Sequence, residues 1–268
     1  MVLNPFQDSL AWLWDIIAMI ISLVLVLAVV QINGLIQKKE ILPSYITRKI
    51  VHILVGPVFL LTWLLFSGEI FSRYIAMIVP ILFVFQFTAI GTGKIKDEAF
   101  VRSMSRTGEP SELLKGTLYY AIVIVLVTIF WFYIPPTGIN DANPSAFIIM
   151  GCLAGGDGLA DIIGRKFGGE KKFGIGGAQK TFPGMVGMFM GSYLFSIVLV
   201  AIFSIEVPTF DLLGIGIPIL IISLIATIAE ALSPPNLDNL IIPAVVILAI
   251  VLFPFLFPEW WPFSAISL

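Results

Sequence analysis

Charge is scarce in this chain of 268 residues: Asp, Glu, Lys and Arg supply 12% of it, against about 25% in a soluble domain. Cysteine is nearly absent. The single Cys152 excludes an intrachain disulfide and any Cys-based metal cluster. Histidine occurs once, at His52. There is no internal repeat and no low-complexity tract, and Asn143 is barred from being a sequon by Pro144. A net charge of −2 carries no signature of a strongly acidic or basic partner, and nucleic acid is not among the expected ones.

What fills the chain is apolar. Hydrophobic residues make up 59% and the mean hydropathy is +1.04. Runs of about 20 apolar residues, each long enough to cross a bilayer as a helix, recur along the sequence. They predict spans at 10–31, 50–67, 71–90, 117–134, 145–164, 182–204, 212–230 and 240–257. The expected fold is therefore all-α, a polytopic integral membrane protein with about eight transmembrane helices, in one domain over 1–268. The first run lacks a basic flank and contains Asp15, so it reads as a span and not as a cleaved signal.

The basic residues orient the bundle. All of the 15 Lys and Arg except Arg73 fall before span two, between spans three and four, or between spans five and six. With eight spans these loops share one side, which the positive-inside rule makes cytoplasmic, with both termini outside. The opposite connectors, 135–144 and 204–211, hold no basic residue, and FPEWWPF near the C-terminus suits an interfacial aromatic belt. Gly187 and Gly191 form a GxxxG pair suited to close helix packing.

One polar stretch interrupts the grease: GGDGLADIIGRKFGGEKKFGIGGAQKTFPG, residues 155–184. Asp157 and Asp161 are four apart and share a helix face. Two carboxylates at a membrane helix are costly without compensation, and a divalent cation such as Mg²⁺ supplies it with hard oxygen ligation. Gly155, Gly156 and Gly158 clear side chains so that a ligand or a neighbouring helix can approach. Arg165, Lys166, Lys171, Lys172 and Lys180 follow. Carboxylates for a metal beside cations for phosphate are the parts of phosphoryl transfer. An Asp161–Arg165 salt bridge at a helix end is the plainer reading of one pair. GIGGAQKT is not a P-loop, because Gln179 stands where the last glycine belongs and no strand precedes it. Lys180 and Thr181 at a helix start can still bind phosphate.

Further polar residues gather at the same predicted face. RKIVH places Arg48, Lys49 and His52 at the entrance of span two; GEPSELLKGTLYY brings Lys115 and Gly116 to span four. Glu230 closes span seven, and Asp238 and Asn239 precede span eight.

Together these stretches resemble the polyprenol kinase family. The carrying residues are RKIVH at 48–52, SELLKGTLYY at 111–120, GDGLADIIGRKFG at 156–168, KTFPG at 180–184 and EALSPPNLDNLIIP at 230–243. The resemblance implies a membrane kinase of a long-chain isoprenoid alcohol (dolichol, polyprenol, phytol or geranylgeraniol class), with CTP as phosphate donor and a divalent metal. Asp157 and Asp161 are then the expected metal ligands. Gly156, Gly158, Arg165, Lys166, Lys172, Lys180, Thr181, Arg48, Lys49, Lys115 and Asn239 are the expected nucleotide contacts. His52, Glu230 and Asp238 are alternative acceptors of the alcohol proton, with Lys180 in the catalytic set. Phosphatidate cytidylyltransferases are distantly similar, but Pro183 stands where they commonly carry Glu. A transporter is the reading from another class; its charges are expected near the midplane, in repeats, and not at one face.

Overall fold

The computed structural model describes residues 5, 8–105, 107–133, 143–205, 212–264 and 266. Arg106 and most of the connectors 135–144 and 204–211 lie outside the described residues. Among those described, eight helices are long and apolar enough to cross a membrane, as the sequence predicts. Their elements are α1 (Ala11–Lys38), α2 (Ser44–Leu61), α3 (Ser72–Ala76), α4 (Ile78–Gly91), α5 (Glu98–Met104), α6 (Gly116–Trp131), α7 (Ser145–Met150), α8 (Asp157–Phe167), α9 (Phe182–Ser204), α10 (Leu212–Leu232) and α11 (Asp238–Leu256). Helix is the expected solution for such runs, because lipid offers no partner to an open backbone group.

The structure departs from the sequence reading in several places. The first helix runs on to Lys38, beyond the expected end at 31. The third span is divided into α3 and α4 at Met77, three residues before Pro80, whose ring nitrogen has no hydrogen to donate to the preceding turn. The loop between spans three and four is not bare: α5 is capped by Asp97, which accepts from the Phe100 N–H at 2.9 Å, and a 3₁₀ turn covers Pro110–Leu114. Arg73, expected among the outer charges, is buried, and its Nη1 donates to the Ile129 carbonyl at 3.1 Å. Asp15 is also buried and is fully partnered. Ser67 N–H, Ser67 Oγ and Ser72 Oγ lie 2.7, 3.0 and 2.6 Å from its carboxylate, tying α1 to the turn between spans two and three.

The fifth span is the most deeply enclosed. It is not one α-helix: Gly151–Gly156 form a π-helical segment between α7 and α8. Such segments change the rotation of a helix and frequently mark functional sites. Its glycines meet protein. A methyl on Gly151 would strike Ser196, on Gly155 the Phe195 side chain, and on Gly156 the Ser192 and Met188 side chains. From α9, a methyl on Gly191 would strike the Gly155 backbone, and one on Gly187 would come within 2.9 Å of the Leu159 carbonyl. The GxxxG pair is therefore a close-packing face, as its spacing implies.

Candidate functional site

Two helices build the centre of the site. Along α2, Arg48 and His52 are one turn apart, with Lys49 on the adjoining face. These side chains meet the first turn of α8, directly after the π-helical segment. Lys49 Nζ donates to Asp157 Oδ2 at 2.8 Å and to the Asp157 carbonyl at 3.3 Å. His52 Nε2 lies 3.1 Å from the same Oδ2 and 3.0 Å from the Leu153 carbonyl. Both neighbours are acceptors, so Nε2 carries the hydrogen and donates. Tyr120 on α6 completes the group, its hydroxyl donating to the His52 carbonyl at 2.7 Å. Glycine is required twice for this approach: a methyl on Gly158 would strike Ile53, and one on Gly56 would strike Met150 and the Tyr120 hydroxyl.

Asp161 lies one turn along α8, as its spacing predicts, but has other partners. Arg165 Nε donates to Oδ1 at 2.8 Å, and Arg48 Nη2 lies 3.5 Å from Oδ2. The Arg165 guanidinium also stands over the Tyr45 ring, 5.4 Å from its centroid. The helix-end salt bridge foreseen for Asp161 and Arg165 is thus present, with Arg48 joining it to α2.

Asp157 faces a cavity that also receives Arg48, Lys49, His52, Lys115, Asp238 and Asn239, together with Glu112, Tyr120 and Asn236. It amounts to about 150 Å³, in a measure where one water needs about 10–15 Å³. One end is polar. The remainder is walled by aliphatic and aromatic side chains of α1, α2, α4 and α6, among them Val30, Val55, Phe59, Phe83 and Ile124. At the mouth, Asn239 Nδ2 donates to the Gly116 carbonyl at 2.9 Å, while its Oδ1 is shielded and has no hydrogen-bond partner. Asp238 Oδ1 accepts from the Asn239 N–H at 3.0 Å.

Several expected residues sit elsewhere. Lys180 Nζ is 2.5 Å from Glu230 Oε1, and neither residue lines the cavity. Thr181 caps α9, its Oγ1 accepting from the Gly184 N–H at 3.2 Å. The glycine-rich stretch before it doubles back, with reciprocal Phe173 and Lys180 backbone hydrogen bonds of 3.0 and 2.8 Å. Gly176 and Gly177 adopt φ of 62° and 87° in that turn, which favours glycine. Lys166 and Lys172 are exposed. Gly156 and Gly158 meet protein side chains, Ser192 and Met188 for the first and Ile53 for the second.

Glu112, Tyr120 and Asn236 were not singled out by the sequence reading, although all three fall in the motifs SELLKGTLYY and SPPNLDN. The apolar lining had no local signal, since a cavity-facing valine and a lipid-facing valine look alike in sequence. Among the described residues, no group of three or more His, Cys, Asp or Glu gathers as a ready metal cage. Mg²⁺ bound to a nucleotide needs only one or two protein carboxylates, the rest being phosphate oxygens and water. Asp157, on the cavity wall, fits that requirement; Asp161, one turn along α8, is off the cavity lining and would add a second carboxylate only by releasing Arg165 or Arg48.

No family model and no solved structure matches the chain. Curated relatives do. It is 37% identical over 240 residues to a probable phytol kinase 3, chloroplastic, of Glycine max, covering 87% of this chain and 71% of that one. It is 36% identical over 211 residues to a farnesol kinase, chloroplastic, of Arabidopsis thaliana, covering 78% and 66%. A probable phytol kinase of Zea mays is 32% identical over 235 residues, covering 84% and 73%. With identity at this level over 78% to 87% of its length, the chain belongs to the family of isoprenoid alcohol kinases.

Proposed function

We propose that this protein transfers the γ-phosphoryl group of CTP to the hydroxyl of a membrane-embedded isoprenoid alcohol, at the cytoplasmic face, as a single transmembrane kinase domain. The observation that carries the reading is the two-ended cavity: cations and carboxylates at one end, a hydrocarbon-lined arm at the other. An alcohol dissolved in lipid suits this shape, with its hydroxyl beside Asp157 and its chain in the arm. Phosphoryl transfer asks mainly for positioning and charge stabilisation. Lys49, Arg48 and Lys115 are the cavity's cations and take the triphosphate oxygens. A divalent cation, when bound, would neutralise those oxygens, and Asp157 is the residue that would hold it, joined by Asp161 once Arg165 or Arg48 releases it. His52 donates to Asp157 and so orients it. Of the three groups foreseen as proton acceptor, Glu230 is engaged by Lys180 and lies off the cavity lining. His52 donates from Nε2 to Asp157, which leaves Nδ1 as the accepting nitrogen of the neutral ring. Asp238, at the mouth with a second carboxylate oxygen beyond its bond to the Asn239 N–H, and His52 through Nδ1 are the two acceptors that line the cavity.

The test follows the phosphorus. With CTP labelled at the γ-position, purified protein should move label onto the alcohol and leave CDP. Label in pyrophosphate with cytidine on the lipid would replace this reading by that of a cytidylyltransferase.

A further inference from the structure

The arm of the cavity ends on Phe59, its deepest lining residue on α2, and an aromatic floor that does not itself line the cavity is packed behind that ring. Phe59 packs edge-on against Trp63, one turn below it, with ring centroids 6.1 Å apart. Trp63 in turn lies 4.7 Å from the Phe132 ring, and all three side chains are buried. Three walls give depths of about 14 to 18 Å. From Lys49 to Phe59 along α2 is ten residues, about 15 Å at a rise of 1.5 Å. From Lys115 at the mouth, Ile124 lies about 14 Å down α6 on the same rise. Gly91 abuts Leu114 and Pro110 beside the mouth, and Val79, the lowest lining residue of α4, is about 18 Å below it.

An extended isoprene unit has four chain bonds of about 1.5 Å each and advances about 5 Å. We propose that the arm is the tail site of the alcohol and that Phe59, backed by Trp63 and Phe132, makes it a length ruler, enclosing about three isoprene units. A fourth unit already has to bend or leave between helices, and a long polyprenol leaves most of its chain outside. Tail burial then favours short isoprenoid alcohols over polyprenols. The hydroxyl's position rests on the kinase reading; the tail's position does not.

Two measurements separate the two ideas. First, a three-unit alcohol carrying a diazirine at its tail end is photolysed on the wild-type protein in nanodiscs, without nucleotide. Crosslinks should fall on peptides containing Phe59 or Val79; crosslinks confined to lipid-facing Leu82 and Phe85 of α4 would overturn the tail site whether or not the protein is a kinase. Second, kcat/KM is compared across alcohols of two, three, four and eleven units. The three-unit substrate should exceed the eleven-unit one by at least about tenfold, the scale on which apolar pockets discriminate. A flat profile in an active enzyme overturns the ruler and leaves the kinase reading standing, while tail crosslinks without phosphate transfer do the reverse. Phe59→Ala should raise the four-unit to three-unit ratio, and Val79→Phe, from the opposite wall, should lower the three-unit to two-unit ratio. Unchanged ratios in both variants also overturn it.

Discussion

Lys49 Nζ sits 2.8 Å from Asp157 Oδ2, with the two side chains only 7% and 6% exposed. A carboxylate held this way is compensated before any ligand arrives, so the site does not depend on a metal to make its buried charge tolerable. Removing one partner of such a pair leaves an uncompensated buried charge, a loss of about 3–5 kcal/mol. Asp157→Asn should therefore lower stability as well as turnover, the latter by about 100- to 1,000-fold. Asp157→Asn with Lys49→Met should regain thermal stability without regaining activity. Activity regained with stability would show that Asp157 serves folding only.

His52 offers a sharper division. If its role is to donate from Nε2 to Asp157 and Leu153, a glutamine amide can replace that donor. His52→Gln should stay within about tenfold of wild type while His52→Ala falls further, whereas loss of a general base costs about 10²–10⁴ in both. Equal loss in the two variants would make His52 the proton acceptor.

Lys180 and Glu230 pose the same question away from the cavity. Lys180→Met should destabilise the protein by about 3–5 kcal/mol, and adding Glu230→Leu should restore its melting temperature, because an apolar pair replaces an ion pair. Full recovery of kcat in the double variant would confine Lys180 to a structural role. A turnover still down by about 100-fold would place its ammonium near the phosphates when substrate is bound.

The sidedness proposed from the basic residues is testable with Cys152 replaced. Single cysteines at the exposed positions Lys96 and Lys172 should label from the cytoplasm only, and one at the exposed Glu69, at the other end of spans two and three, only from outside. Outside labelling at Lys172 would move the proposed active face.

The eight spans were legible because a bilayer leaves little choice: a segment must be long and apolar, and its backbone must satisfy itself. The shared face of Asp157 and Asp161 was legible from their spacing, and the motifs in their order pointed to the kinase family before any geometry. The spacing did not show that the two carboxylates take different cations, nor that Lys180 meets Glu230, 50 residues away. The role of the glycines was open between ligand and helix contact; Gly155, Gly156 and Gly158 each proved to face protein.

Helical periodicity is a local property, so composition and spacing could settle the number of spans, the face each polar residue occupies and the end of the bundle where charge collects. The partner met by that face is not local. Lys49 reaches Asp157 across 108 residues of chain because glycines at 56 and 158 let three spans close together and a π-helical turn resets the rotation of the fifth. The cavity and its aromatic floor arise the same way, from side chains on separate helices whose contact exists only once the bundle has packed.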